Sequence, residues 1–264
     1  TTESNKITKI LLTQKTTTNK SKNLSVTGQY QYDSYGNITQ ETVNYGNGLS
    51  TTKNNTYQNI ANDSVYILGL PLSEQRITTR NGGTYTDRTT LTYNSNYFPA
   101  SKTYYVANTN KAKEEKFEYN AANMLTQTKT KLYSSTNEEI IKYEYNSNGQ
   151  LIAKTDPLGL KETYFYNSNG LLNYVQNHKN KKTYFTYDSW RRKIKTTYAD
   201  GSIATATASW ATSPTNAVIV IDESSTGEPD AQTYLDAFGR KVRTGGKCFD
   251  GKYLYTDYQY DSNG

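Results

Sequence analysis

The sequence predicts an all-β protein: an antiparallel meander of repeated β-hairpins forming a long curved sheet. Three observations lead there. The first is composition: of 264 residues, 26 are tyrosine, and without tyrosine the apolar fraction including glycine is about 31%, against about 45–50% in ordinary domains. A chain so poor in aliphatic residues folds only if tyrosine supplies the buried surface, about 150–250 Å² per ring. The second is a recurring Tyr-Asp or Tyr-Asn dipeptide followed by a turn. The third is the residue two places before each of these tyrosines, which is itself aromatic or aliphatic; a spacing of two puts both side chains on one face of a strand.

The copies read Tyr32-Asp33-Ser34-Tyr35-Gly36, Tyr145-Asn146-Ser147-Asn148-Gly149, Tyr166-Asn167-Ser168-Asn169-Gly170 and Tyr260-Asp261-Ser262-Asn263-Gly264. Weaker copies begin at Tyr93-Asn94, Tyr119-Asn120, Tyr187-Asp188 and Leu235-Asp236, the last with Gly239. The preceding partners are Tyr30, Leu91, Phe117, Tyr143, Tyr164, Phe185 and Tyr258. An Asp or Asn bonds its own backbone to start a turn, and glycine then supplies a positive φ. Steps of 26, 26, 21 and 21 residues between Tyr93 and Tyr187 hold two strands and two turns each, the signature of a repeat array.

Departures from the motif predict local change. Asn123 stands at one glycine position and tolerates positive φ, whereas Tyr97 and Arg191 at two others predict bulges or reshaped turns. A second turn type is expected between copies, at Asn81-Gly82-Gly83, Asp156-Pro157-Leu158-Gly159, Ala199-Asp200-Gly201 and Phe249-Asp250-Gly251. The gap between Tyr187 and Leu235 is about two periods long and should hold one degenerate copy. Residues 1–27 read as a partly ordered lead-in, with one strand around Ile7, Ile10 and Leu12, and residues 28–264 as the repeat array.

Together these motifs resemble the Rhs/YD-repeat family, which includes Rhs polymorphic toxins, the B and C components of insecticidal toxin complexes, and teneurins. The stretch Tyr30 to Thr39 and then Leu68-Gly69-Leu70-Pro71 is similar to toxin-complex B components. So is Tyr234 to Arg240 with Asp250-Gly251-Lys252 and Asp257 to Asp261. The resemblance covers residues 25–264 and implies a non-enzymatic wall. In the family such repeats spiral into a hollow shell that encloses a C-terminal toxin domain. It implies a fragment of a longer bacterial chain, secreted or at the cell surface, whose partners are the rest of that chain and a toxin cargo. The alternative is a surface module that binds carbohydrate or a host protein through exposed tyrosines, Trp190 and Trp210.

Chemistry-bearing residues are sparse, and no cofactor or metal is expected. One histidine, His178, and one cysteine, Cys248, exclude a disulfide framework and a Cys-based zinc site. Asp156-Pro157-Leu158-Gly159 matches a self-cleavage string of Rhs cores, but a proline-initiated turn is favoured. A net charge of +6 is too diffuse to name a partner. Trp190-Arg191-Arg192-Lys193 reads as an outward sheet face rather than a nucleic-acid surface, because acids are interspersed. Lys111–Lys116 and Lys179–Lys182 read as solvated turns, and Asp222-Glu223 and Glu228-Pro229-Asp230 as acidic turns without calcium-loop spacing. No apolar run approaches a membrane span, about 20 residues.

Overall fold

The computed structural model describes residues 10–21, 24–62, 64–80, 82–107 and 109–260. It contains twenty β-strands and, among the described residues, no helix. Asp261 and Gly264 of the last motif copy, and Ile7 of the lead-in, lie outside the described residues.

The chain divides into two compact units, residues 1–142 and 143–264. In the first, β1 (Gln14–Asn19), β2 (Leu24–Tyr32), β3 (Ile38–Gly46), β4 (Leu49–Ala61) and β5 (Tyr66–Arg80) are followed by β6 (Gly83–Tyr93), β7 (Pro99–Val106), β8 (Asn110–Tyr119) and β9 (Leu125–Leu132). The tenth strand, β10 (Glu138–Tyr145), pairs with β9 over Glu138–Lys142. Each pairing is antiparallel and joins chain neighbours.

The second unit repeats this with shorter strands: β11 (Leu151–Thr155), β12 (Lys161–Tyr166), β13 (Leu172–Gln176), β14 (Lys182–Tyr187) and β15 (Lys193–Thr197). They continue with β16 (Ile203–Trp210), β17 (Ile219–Ser225), β18 (Ala231–Leu235), β19 (Lys241–Lys247) and β20 (Tyr253–Asp257), again a simple antiparallel meander.

Neither unit has an ordinary core. Among the described residues the buried hydrophobic side chains are Ala153, Ala217, Val220 and Val242, and no large side chain is fully buried. Strands β3 and β9 are half-buried along successive residues rather than alternating in and out. An antiparallel sheet normally packs one face and wets the other; here both faces are half wet. Side chains are therefore held by neighbours on their own face. Phe165 stacks on Tyr174 at 4.3 Å, and Tyr174 meets Tyr184 at 5.3 Å. Gln40, Asn54 and Gln75 form an amide chain across β3, β4 and β5 with bonds of 2.9 and 3.2 Å. Such cross-strand pairs contribute about 0.2–1 kcal/mol each.

Among the described residues the motif turns share one geometry. The amide of the Asp or Asn donates to the carbonyl four residues on, and the amide three residues on donates back. At Asp33 these bonds are 2.9 and 3.1 Å, and at Asn167 they are 2.9 and 3.0 Å. The side-chain Oδ1 accepts two further amides, those of Tyr35 and Asn37 at Asp33 (both 2.9 Å) and those of Trp190 and Arg192 at Asp188 (both 2.9 Å). Only one oxygen is required, which is why Asp and Asn interchange.

Tyr97 and Arg191 correct the expectation of reshaped turns. Both sit at φ 63° in otherwise unchanged turns, closed by Asn94–Phe98 and Asp188–Arg192 bonds of 2.9 and 3.0 Å. Four hydrogen bonds to one Asx residue outweigh the left-handed strain of about 1–2 kcal/mol. Nor do bulges mark the departures: a register shift sits opposite the motif residue in regular and irregular copies alike, at Tyr32, Tyr93, Tyr119, Tyr166, Tyr187 and Leu235.

Other sequence expectations are also revised. The turn at Asp156 is not a second type, since it makes the same four bonds as the motif turns, as does the turn at Asn177. Lys111–Lys116 is not a turn but the middle of β8, where Lys113 pairs with Glu115 at 2.6 Å and Lys116 with Glu114 at 3.4 Å. Asp222 and Glu223 lie in β17 rather than a turn. The first described strand begins at Gln14, leaving Ile10 and Leu12 exposed outside it.

The strained turns give a direct test. Arg191→Gly is expected to raise the urea midpoint, because relieved strain of about 1–2 kcal/mol exceeds the added chain entropy of glycine, about 0.5–1 kcal/mol. Gly170→Ala, placing a side chain at φ 78°, is expected to lower the midpoint by a comparable amount.

Candidate functional site

What the repeats assemble is a row of tyrosine hydroxyls, each bonded to the preceding repeat. Where a register shift faces a motif residue it locally disrupts the ladder, and at Pro99, Leu172 and Lys241 the carbonyl facing the shift is taken by the next tyrosine. Tyr119 donates to the Pro99 carbonyl at 2.9 Å, Tyr166 to Leu151 at 2.9 Å, Tyr187 to Leu172 at 3.0 Å and Tyr260 to Lys241 at 2.8 Å. Tyr32 donates to Leu12 at 2.7 Å and Tyr93 to Pro71 at 2.6 Å. The partner lies 15 to 22 residues back, about one repeat. Each bond is thus a staple between successive hairpins, made in addition to the ladder.

Tyr57 belongs to the same row although no Tyr-Asp or Tyr-Asn dipeptide marks it. Its hydroxyl donates to Ile38 at 3.0 Å, and a register shift sits opposite it. The turn itself is made further on by Asn62, whose Oδ1 accepts the amides of Ser64 and Val65 at 3.0 and 2.8 Å, while Asn59 within β4 accepts the Gly69 amide on its Oδ1 at 2.7 Å and donates from Nδ2 to Asp33 at 3.0 Å. Asn37 donates to the same carboxylate at 2.8 Å. Gly69 is required here: it has φ 73°, and a Cβ on it would lie 2.5 Å from Asn37 Oδ1. The spacing of 25 residues from Tyr32 was the one signal that could have revealed Tyr57.

The electrostatics follow from these contacts. The Asn37 amide, aided by the Asn37 backbone, Asn59 and Tyr35, holds the Asp33 carboxyl at about 2. Burial pushes Asp188 and Asp236 upward, but backbone amides and the Arg192 and Arg240 side chains hold both below the usual carboxylate range. Burial raises the phenols of Tyr57, Tyr93, Tyr119, Tyr145 and Tyr166 above the ordinary value. Tyr164 is raised further by burial and by its hydrogen bond to Glu162.

The remaining candidates are structural or solvated. Asp156 spends its Oδ1 on the amides of Leu158 and Leu160, at 3.0 and 2.8 Å, closing a turn. His178 lies in the exposed turn after β13, and Cys248 is exposed. Asp230 pairs with Lys247 at 2.8 Å. Among the described residues no group of three or more His, Cys, Asp or Glu is placed to hold a metal ion.

Known proteins share this fold. The family model described as "Teneurin YD-shell" matches residues 1–202. The chain belongs to the teneurin YD-shell family. Among solved structures, the YD-shell is similar to a chain of the TcdB2-TccC3-Cdc42 crystal structure, with TM-score 0.51, 13% identity, and coverage of 90% of this chain and 15% of that one. A TcdB2-TccC3 structure without the hypervariable C-terminal region gives TM-score 0.51 at 12% identity, with the same coverage. The YD-shell segment therefore spans about 15% of those chains' length, and at such identity the likeness is one of fold. No curated protein matches it.

In this YD-shell the degenerate copy between Tyr187 and Leu235 is located at Trp210. That residue ends β16 where a motif tyrosine would stand, and an Ala211–Val218 bond of 3.0 Å closes a longer loop in place of the five-residue turn.

Two outcomes test the staple. Tyr166→Phe, which removes one half-buried donor and keeps the ring, should cost about 0.5–1.5 kcal/mol in urea unfolding, whereas Tyr184→Phe, on an exposed ring, should be near neutral. Phenols whose folded pKa is raised contribute stability that is full below the unfolded value of 10.0 and is lost as pH rises through the folded one. Stability should therefore fall above about pH 10 in a pH-resolved unfolding series, and less in the Tyr166→Phe variant.

Proposed function

We propose that this chain is a wall segment of a longer Rhs-type shell, secreted or at the cell surface, that encloses a C-terminal toxin domain and is not itself catalytic. The observation that carries the reading is the tyrosine staple. It ties each hairpin to the one before it without needing a filled core, so a sheet can be extended indefinitely as one layer with solvent on both faces. A wall around a cargo needs that property and an enzyme domain does not. The remainder of the same polypeptide is the natural partner, supplying strands beyond those seen here, with residues 28–264 as the array proper.

A wet, polar inner face suits confinement. Threonine, asparagine and tyrosine rims offer hydrogen bonds to water as readily as to cargo, so an enclosed chain gains little by adhering. The resemblance to TcdB2-TccC3 chains supports this reading through fold alone.

The test uses the full-length protein. Limited proteolysis should leave the C-terminal domain intact while the repeats are folded, and combining Tyr166→Phe with Tyr187→Phe should expose it to cleavage several-fold faster. Equal cleavage of the domain inside the intact protein and as a free polypeptide would overturn encapsulation.

A further inference from the structure

Asparagine followed by glycine is chemically labile, because glycine has no Cβ and leaves its amide nitrogen unhindered toward the preceding carboxamide. Three such pairs lie wholly within the described residues: Asn47-Gly48, Asn148-Gly149 and Asn169-Gly170. The fold treats them unequally. Asn148 and Asn169 sit at the apices of motif turns. There the amides of Gly149 and Gly170 donate to the carbonyls of Asn146 and Asn167, both at 3.0 Å. The Oδ1 atoms of Asn146 and Asn167 bind the amides on either side, those of Asn148 and Gln150 and those of Asn169 and Leu171, all at 3.0 Å. The nitrogen that would attack is bonded, and its loop is tied down before and after it.

Asn47 and Gly48 make a different loop. They are the two residues between Gly46 and Leu49, the pair that closes the β3–β4 hairpin, and their φ values are 51° and 73°. Two consecutive left-handed residues match the twist of the flanking strands. Both residues are exposed, and among the described residues nothing accepts a hydrogen bond from the Gly48 amide or holds the Asn47 carboxamide. The nearest side-chain lock, Asn44 Oδ1 on the Gly46 amide at 2.8 Å, stops short of the pair. Bringing this loop to a reactive geometry breaks less structure than opening a motif turn, and it is the locally opened population that reacts.

We propose that Asn47 is a self-modifying site of the YD-shell, converted to aspartate and isoaspartate under conditions that leave Asn148 and Asn169 intact. The Gly48 amide nitrogen gives its proton to solvent base and attacks the Asn47 carboxamide carbon. A new C–N bond forms, the carboxamide C–N bond breaks, and ammonia leaves with a proton taken from water. Water then opens the resulting cyclic imide at either carbonyl. One opening restores the normal backbone as aspartate, and the other gives isoaspartate, with one extra methylene in the main chain. No electron is transferred and water is the only co-reactant. Each product adds a negative charge, and isoaspartate lengthens a loop that spans only two residues. The inference stands apart from the shell reading, since it depends on the turns alone.

The test holds the folded protein in mildly alkaline heavy-oxygen water, with a parallel sample in urea, and follows each Asn-Gly peptide by mass spectrometry. In the folded protein Asn47 should react at least about tenfold faster than Asn148 and Asn169, in proportion to hydroxide. Of the three peptides, the one containing Asn47 alone should become a substrate for an isoaspartyl methyltransferase. In urea the three rates should converge to within about threefold, because the bonds that shield the motif turns are gone. Asn146→Ala, which removes the Oδ1 that ties one motif turn, should speed reaction at Asn148 several-fold and leave Asn47 unchanged. The proposal is overturned if Asn148 or Asn169 reacts as fast as Asn47 in the folded protein, if folded Asn47 stays unlabelled while the urea sample is labelled, or if the difference persists undiminished in urea.

Discussion

The hydrogen bond from a tyrosine hydroxyl to a main-chain carbonyl one repeat earlier is the constraint on which the rest of this structure depends. It needs a ring long enough to cross to the neighbouring hairpin and a carbonyl beside a disrupted stretch of ladder. The bulge after each turn supplies the second condition, and the Asx turn fixes where the bulge falls. Sequence period, register shift and tyrosine abundance are three expressions of that single contact.

This logic explains why the turns tolerate residues that look unsuitable. In isolation Tyr97 or Arg191 at φ 63° would be a poor choice. The Asx oxygen and two backbone bonds over-determine the loop, so local strain is accepted. The position next to it, at the apex, is constrained by almost nothing, and it ranges from Ala122 and Asn169 to Trp190 and Phe238. Variation is thus confined to places where it leaves the staple untouched.

Much of the fold was legible in the sequence because its signals are local. A tyrosine, an Asx residue and a glycine within five positions record both a strand end and a turn. What was illegible depended on main-chain atoms or on distant context. The acceptors of the staples are carbonyls, which no residue type announces, so Tyr57, followed by Gln58, carried no mark beyond its 25-residue spacing from Tyr32. The run Lys111–Lys116 suggested a solvated turn by charge alone, yet Lys113 with Glu115 and Glu114 with Lys116 are pairs two apart, the period of a strand.

The scarcity of buried hydrocarbon has a calorimetric consequence. Unfolding raises heat capacity in proportion to the apolar surface it exposes and lowers it in proportion to the polar surface. A sheet that hides few aliphatic groups and much peptide and amide surface therefore has a small heat-capacity increment for its length. Its free energy of unfolding bends only gently with temperature, so neither cooling nor moderate warming alters the stability of the sheet by much.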